Sequence, residues 1–170
     1  MLKGKRKPIR ELSPSHEHYL RAIWEVRGRA GYARLTDVAR ELGISHPTLS
    51  VGLEPLKRGG LVSLDDHRFL VLTERGERVA REVHHRFTVV RAFLADLLGV
   101  DAARAEQEAC LIEHDLSAET TDRLVDLLRL VTEDETVGRV FRDRLAKYHR
   151  SCSPGAPCST CGLACLTQLS

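Results

Sequence analysis

The stretch between Leu35 and Leu72 constrains the fold more than any other part of this 170-residue sequence. It opens with a short helical pattern that reaches Leu42 and is terminated by Gly43. Ser45 can then cap a second helix, which keeps leucines on one face and ends at a Gly-Gly pair. Two apolar runs around four polar turn residues follow, and they predict a β-hairpin. Helix, tight turn, helix and hairpin in this order predict a winged helix-turn-helix.

In that arrangement the second helix of the pair enters the major groove of DNA, and the hairpin, or wing, contacts the backbone. Hydroxyl and imidazole groups at the start of the helix can bond base edges or phosphates, and cations farther along can bond phosphates. The candidate DNA contacts are Ser45, His46, Pro47, Thr48, Ser50, Lys57, Arg58 and Arg68. An alternative interpretation limits Ser45 and Thr48 to capping the helix, and the two roles are compatible.

Gly52 and Pro55 interrupt this predicted recognition helix. In a helix interior, glycine costs about 1 kcal/mol relative to alanine, and proline costs about 3 kcal/mol. Pro55 also cannot donate a hydrogen bond to the carbonyl of Val51. The sequence therefore predicts a kink or an early end of the helix between Val51 and Glu54.

Charge is divided unevenly along the chain. Residues 1–80 hold 15 Lys and Arg against 10 Asp and Glu, residues 81–170 hold 11 against 14, and the formal net charge is +2. The first ten residues contain five cations and no acid. A basic arm over residues 1–12 suits a polyanion such as DNA, although a solubilising, disordered tail would have the same composition.

The second half of the chain predicts further helices, so the predicted fold class is mainly α. One long helix should reach about Leu98, the next about His114, and the last should end near Tyr148. The predicted N-terminal caps are Thr73, Asp101, Ser117 and a capping box of Thr132 with Glu135. The predicted domains are a basic arm (1–12), a winged helix-turn-helix with a two-stranded wing (13–78), a helical metal-binding and dimerisation domain (79–148) and a cysteine-rich tail (149–170).

Cys110, Glu113 and His114 follow one another at helical spacings of three and four residues, so one face presents a thiol, a carboxylate and an imidazole. That donor set suits Fe(II), Mn(II), Co(II) or Zn(II). Further donors could come from Glu106, one turn earlier, or from residues 16–18 in the first helix. A buried cysteine beside a surface Glu–His pair would produce the same spacing, so the metal site is one of two interpretations.

Five stretches of the sequence carry a resemblance to a known family: HEHYLRAIWEV, DVARELGISHPTLSVGLEPLKRGGLV, VLTERGERVA, FLADLLGVD and EACLIEHDLS. With the order of the elements, they resemble the DtxR/MntR-type metal-dependent repressors over about residues 13–148. The resemblance implies a homodimer in which each chain has an N-terminal DNA-binding domain and a helical dimerisation domain. It also implies that metal binding favours binding to promoter DNA. The chain resembles the shorter, manganese-type members, which have no SH3-like C-terminal domain.

The resemblance places the family's main metal site on His18, Cys110, Glu113 and His114. His18 stands where the family usually has Met or Asp. The family's ancillary ligands fall on Phe87, Arg91 and Arg21 here. Since a cationic side chain in a ligand position repels a metal ion, a two-metal site of the family type is not expected.

The resemblance also bears on the recognition helix. Two DNA contacts of the family carry over to Ser45 and Pro47. The glutamine that the family has on this helix is Val51 here. The preferred DNA sequence is therefore expected to differ from that of family members with the glutamine.

Four cysteines lie in the last nineteen residues, namely Cys152, Cys158, Cys161 and Cys165. In a reducing cytosol, such clustering predicts a metal or cluster site rather than disulfides. Four thiolates suit an iron–sulfur cluster or a structural Zn. The C-x2-C-x3-C portion is similar to bacterial ferredoxin spacing, which favours a [4Fe–4S] or [2Fe–2S] cluster over Zn. A flexible, partly oxidised tail is the remaining alternative.

Together these features predict a cytoplasmic, DNA-binding transcriptional regulator that is not an enzyme. The sequence has no run of about 18 apolar residues, and its charged start lacks the apolar stretch of a secretory signal. The first hypothesis places iron or redox sensing on a cluster in the tail. The second places Fe(II) or Mn(II) sensing at the helical-domain site, with structural zinc in the tail. The third, from another class, is an iron–sulfur electron carrier or a metal hydrolase, and the sequence shows neither a nucleophile–base pattern nor a second cluster motif.

Overall fold

The computed structural model describes the backbone of residues 12–151 and the side chains of residues 12–147. Two predicted features lie outside the described residues: the basic arm, and the tail site on Cys152, Cys158, Cys161 and Cys165. Within the described range, none of the helices has the length and apolar character needed to cross a membrane.

The first half of the described chain folds into three helices and a two-stranded sheet. These elements are α1 (Pro14–Ala30), α2 (Leu35–Glu41), α3 (His46–Arg58), β1 (Val62–Leu64) and β2 (Leu70–Leu72). The strands are antiparallel, with Val62 opposite Leu72. Gly43 adopts a left-handed φ of 64° in the turn between α2 and α3, as glycine readily does. The predicted winged helix-turn-helix is thereby confirmed.

The second half is helical, which confirms the predicted fold class. Its helices are α4 (Glu74–Ala92), α5 (Ala102–Ile112), α6 (Ala118–Glu133) and α7 (Glu135–Ser151). The long helix predicted to reach about Leu98 leaves α geometry earlier, because α4 passes into a wide π-helical turn over Phe93–Leu97. A tight 3-10 turn, Glu113–Asp115, follows α5.

The described chain divides into two compact units. The first extends to Thr88 and also includes Cys110–Leu116, and the second comprises residues 89–109 and the chain from Ser117 onward. Aliphatic side chains of α1, α3 and the sheet form the core of the first unit. The largest of them, each at most 1% exposed, are Leu20, Ile23, Leu49, Leu53, Leu56 and Leu70. Within the second unit, α6 packs against α7 and against the π-helical turn.

Most helix starts follow the predicted caps. Ser45, Thr73, Asp101 and Ser117 each accept a backbone N–H from the first turn of the helix that follows. The predicted capping box at the start of α7 is wrong. Thr132 instead lies within α6 and donates to the carbonyl of Leu128, while the side chain of Asp134 caps α7.

The early end predicted for the recognition helix is also wrong, because α3 continues through Pro55 to Arg58. Its inner face consists of three buried leucines, Leu49, Leu53 and Leu56. Burying one such side chain stabilises the fold by about 1.5–3 kcal/mol. The three together therefore outweigh the local cost of a glycine and a proline in this helix.

Gly52 serves the packing of α3 against α1. A Cβ atom built on Gly52 would lie 2.5 Å from Cε2 of Tyr19, closer than real Cβ atoms approach other heavy atoms. The ring of Tyr19 thus occupies the space that any larger side chain would need at this position. The glycine that weakens the helix locally allows the two helices to approach each other.

Candidate metal centre and DNA-binding surface

Three segments of the first compact unit bring polar side chains together. Helix α1 contributes two consecutive residues, α4 contributes one near its end, and the end of α5 with the 3-10 turn contributes three. We call this set the polar cluster, and its members are Glu17, His18, Arg86, Cys110, Glu113 and His114. Its position follows from the fold, because the buried side chains of Leu20 and Ile23 fix which face of α1 turns inward.

The polar cluster contains all four residues that the resemblance assigns to the main metal site. Nε2 of His18 lies 3.2 Å from Sγ of Cys110 and 2.6 Å from Nε2 of His114. One ligand atom each of His18, Glu113 and His114 lies within 4.8 Å of the other two. The structure therefore brings together thiol, carboxylate and imidazole donors from segments that are 92 or more residues apart in sequence.

Glu113 is completely buried, and its two carboxylate oxygens have different surroundings. Oε2 accepts a hydrogen bond from Nε of Arg86 at 3.3 Å, whereas buried Oε1 has no hydrogen-bond partner within the described part of the chain. Nδ1 of His114 lies 3.4 Å from Oε1, but its hydrogen bond goes to Glu17. Burial raises the pKa of Glu113, although His114 and Arg86 oppose that rise. A buried acceptor without a donor is costly, and a cation would satisfy it.

Glu17 orients the imidazole of His114. Its side chain is buried, and Oε2 accepts hydrogen bonds from Nδ1 of His114 and from Nη2 of Arg86, both at 2.9 Å. A carboxylate on Nδ1 fixes the tautomer that leaves the Nε2 lone pair available to a metal. The sequence suggested Glu17 only as one of several further donors, and the structure gives it this orienting contact.

The geometry of the two imidazoles allows a test of whether an ion fits. Burial and the neighbouring His114 lower the pKa of His18, which favours the neutral form that a metal ligand must have. Two nitrogens bound 2.0–2.1 Å from one tetrahedral ion lie about 3.3 Å apart. The observed separation of 2.6 Å would therefore have to open by about 0.7 Å, a small side-chain adjustment. The donor set and the unpartnered oxygen of Glu113 both fit a divalent ion.

The positions of the family's ancillary ligands hold side chains that cannot bind a metal. The guanidinium carbon of Arg21 lies 3.8 Å from the ring centroid of Phe87, and Nη2 of Arg21 lies 3.5 Å from Sγ of Cys110. Arg91 belongs to the second compact unit. Guanidinium groups and phenyl rings have no lone pair to offer a cation, so these three side chains provide no second metal site.

Other candidate donors lie outside the polar cluster. Glu106 is exposed on α5, and the ring of His16 lies edge-on to Tyr19. His84 contacts the ring of Trp24 at a centroid distance of 4.5 Å, and its Nδ1 lies 3.0 Å from a carboxylate oxygen of Glu25. These contacts account for the two histidines without a metal, and Glu106 lies exposed to solvent.

The candidate DNA contacts lie on α3 and the wing of the same unit. Ser45, His46, Pro47 and Thr48 are exposed at the start of α3, and Ser50 is half-buried. Ser45 Oγ accepts the N–H of Thr48 at 3.2 Å, so its capping role is present in the structure. Arg58 and Arg68 are exposed, whereas Nζ of Lys57 pairs with Glu54 at 2.9 Å. Lys57 is therefore less available to a phosphate than the two arginines.

Two family models match most of the chain. The model of the iron-dependent repressor N-terminal DNA-binding domain matches residues 11–69, and the model of the iron-dependent repressor metal-binding and dimerisation domain matches residues 73–141. A curated relative is the HTH-type transcriptional regulator MntR of Lysinibacillus sphaericus, which is 29% identical over 125 residues. That match covers 74% of this chain and 89% of the relative.

Solved structures agree with these matches. The manganese regulator SloR is 26% identical with a TM-score of 0.62, over 69% of this chain and 55% of that one. A manganese-dependent transcriptional repressor in complex with manganese is 27% identical with a TM-score of 0.57, over 66% and 52%. The chain thus spans about half the length of these solved relatives. The two adjacent domain models and the winged-helix fold show that the chain belongs to the iron-dependent repressors, the DtxR/MntR-type family of metal-dependent transcriptional repressors.

Proposed function

We propose that this protein binds promoter DNA as a homodimer and responds to a divalent ion held by His18, Cys110, Glu113 and His114. The observation that carries this proposal is the buried Oε1 of Glu113, which has no hydrogen-bond partner within the described residues. A carboxylate oxygen of Glu113 lies within 4.8 Å of a nitrogen of each imidazole, and the thiol of Cys110 lies 3.2 Å from Nε2 of His18. A transition metal prefers such a set of donors. When bound, the ion supplies the positive charge that these donors lack.

The other members of the polar cluster prepare these donors. Glu17 fixes the tautomer and the ring orientation of His114. Arg86 holds the second oxygen and the backbone carbonyl of Glu113, so that Oε1 is left to face the imidazoles. His18 joins α1 to the end of α5 through its contact with Cys110 and to the 3-10 turn through its contact with His114. Metal binding at these donors would tie together segments of the DNA-binding unit itself.

The chemistry of the donors favours iron over manganese. Thiolate and imidazole ligands suit Fe(II), Co(II) and Zn(II), whereas manganese sites are usually rich in carboxylates, carbonyls and water. The donor set here has one thiol, two imidazoles and one carboxylate. We therefore place Fe(II) first, although two of the matched relatives are named as manganese regulators.

The test is anaerobic titration of the full chain with Fe(II), Mn(II) and Zn(II), read by equilibrium dialysis and by binding to promoter DNA. His18→Ala should abolish metal-dependent DNA binding. The matched control is His16→Ala, which removes an imidazole from the same helix but outside the polar cluster. Unchanged metal dependence in both His18→Ala and Cys110→Ala would overturn the proposal.

A second candidate places iron or redox sensing on the tail. Its support is the spacing of Cys152, Cys158, Cys161 and Cys165, which suits an iron–sulfur cluster better than a structural zinc. The test is the absorption spectrum and the iron, sulfide and zinc content of anaerobically purified protein. A chromophore that is lost when all four cysteines are changed to Ser supports a cluster. Protein that holds neither iron nor sulfide overturns it, and zinc alone would leave metal sensing to the polar cluster.

A further inference from the structure

The loop between α1 and α2 places one aromatic ring and one cation against an aromatic ring of the wing. Tyr32 stacks on Phe69, with ring centroids 5.0 Å apart and planes inclined by 21°. The guanidinium carbon of Arg34 lies 5.0 Å from the Tyr32 centroid and 5.6 Å from the Phe69 centroid. The backbone is fixed here as well, because the N–H of Leu70 on β2 donates to the carbonyl of Ala33 at 2.8 Å.

Arg34 differs in its electrostatic surroundings from other cations of the same compact unit. Three of those are bound by carboxylates: Arg29 by Glu41 at 2.6 Å, Arg40 by Asp37 at 3.3 Å and Lys57 by Glu54 at 2.9 Å. Within residues 12–147, no carboxylate pairs with Arg34, and its side chain is exposed. Arg68, which directly precedes Phe69, is likewise exposed and without a carboxylate partner in that range. One uncompensated cation therefore contacts the stacked rings, and a second directly precedes Phe69 in the sequence.

The stacked rings hold the guanidinium of Arg34 in a defined position. A cation within about 6 Å of an aromatic centroid is attracted by the ring face, and arginine stacks on such faces through its flat guanidinium. Tyr32 is 38% exposed, so this platform lies at the surface rather than in the core. A guanidinium that is already oriented and has no carboxylate partner is suited to bidentate hydrogen bonding to a phosphate.

We propose that Arg34 is a contact to the DNA phosphate backbone, positioned by Tyr32 and by Phe69, the residue that follows Arg68 on the wing. This proposal rests on the DNA-binding function proposed above. It adds a contact from the α1–α2 loop, a segment outside the recognition helix and the wing. Such a contact fixes the register of the protein on DNA and carries no base specificity.

The test measures anaerobic binding of the full chain with saturating Fe(II) to a mixed-sequence duplex about three helical turns long. Salt is varied between about 50 and 200 mM, since each phosphate contact adds about 0.9 to the slope of log K against log salt. Because a homodimer carries two copies of Arg34, Arg34→Ala is expected to reduce that slope by about 1.8 and the affinity about sixtyfold at 0.1 M salt. The matched control is Arg29→Ala, which removes an exposed cation already paired with Glu41 and should change the slope little.

The role of Tyr32 in positioning Arg34 is tested by a separate measurement. Tyr32→Ala should weaken binding less than Arg34→Ala does, and it should have no further effect in the Arg34→Ala background. Thermal melts of every variant exclude a loss of fold as the cause. An unchanged slope in Arg34→Ala, with the parent protein binding normally, would overturn the inference while leaving the proposed function intact. A parent protein that fails to bind any duplex at low salt would overturn both.

Discussion

The polar cluster and the proposed DNA-binding surface, which includes Arg34 and Arg68, both contain arginines, but in opposite surroundings. In the cluster, the side chain of Arg86 is only 16% exposed and donates to Glu17, to Oε2 of Glu113 and to the backbone carbonyl of Glu113. On the surface, Arg34 and Arg68 are exposed and have no carboxylate partner among the described residues. A buried cation compensates carboxylates of its own chain, whereas an exposed one is available to an external anion. Removing the first should therefore damage the fold, and removing the second should affect association alone.

The largest expected effect is that of Arg86→Met, which leaves two buried carboxylates without their cation. Breaking a buried pair by removing one partner costs about 3–5 kcal/mol. Urea unfolding of the metal-free protein measures this loss. Arg81→Met, which removes an exposed pair with Glu77, is the control and should cost less than about 1 kcal/mol. Similar losses in the two variants would show that burial of Arg86 is unimportant.

Next in size is the effect of Glu113→Gln on metal affinity. The substitution keeps the volume of the side chain but removes the charge beside His18 and His114. We expect affinity for Fe(II) or Zn(II) to fall about a hundredfold, or ~2.7 kcal/mol. Competition with a chromophoric chelator measures the affinity, and Glu106→Gln, on the exposed part of α5, should leave it unchanged. Equal affinities in the parent and Glu113→Gln would remove this residue from the site.

Gly52→Ala tests the packing of the recognition helix. The added Cβ would meet the ring of Tyr19, and such overpacking costs about 2 kcal/mol. Gly28→Ala is the control, because nothing lies within 4 Å of the position of its Cβ in α1. That change should stabilise the protein by about 0.5–1 kcal/mol through helix propensity. Thermal melts that shift in the same direction for both variants would contradict the contact.

The smallest expected effect is that of Arg68→Gly on stability. Arg68 has a φ of 63°, a left-handed conformation that glycine adopts at lower cost. The substitution should raise stability by about 0.5 kcal/mol while weakening DNA binding through the lost cation. Arg68→Ala should weaken DNA binding equally without the gain in stability. Identical melting temperatures for the two variants would show that the turn is unstrained.

Local interactions explain most of the fold that could be predicted from the sequence. Ser45 caps α3 through the N–H of a residue three positions away, so the sequence contains both partners. The pairing of Lys57 with Glu54 is equally local and could have been used to rank the DNA contacts. The early end predicted between Val51 and Glu54 is wrong because α3 is stabilised by leucines that pack against distant parts of the chain.

The candidate site likewise combines local spacings that could be predicted from the sequence with long-range contacts that could not. The spacing of Cys110, Glu113 and His114 identifies one side of the site, and the resemblance adds His18. The contact between Glu17 and His114 spans 97 residues, and Arg86 reaches Glu113 across 27, so no local pattern predicts either. These contacts decide which atoms remain available to a metal, and they depend on the tertiary fold.

Tyr19, the residue whose ring rests against Gly52, directly follows His18 in α1. Adjacent side chains of one helix thus touch the donor atoms and the helix that would read DNA. Only one peptide bond and one aromatic ring separate the proposed metal ligand His18 from the recognition helix. A shift of the α1 backbone at these two residues would move both the imidazole of His18 and the ring of Tyr19, which packs against α3. Because Gly52 has no Cβ, no side chain at this position separates that ring from the backbone of α3.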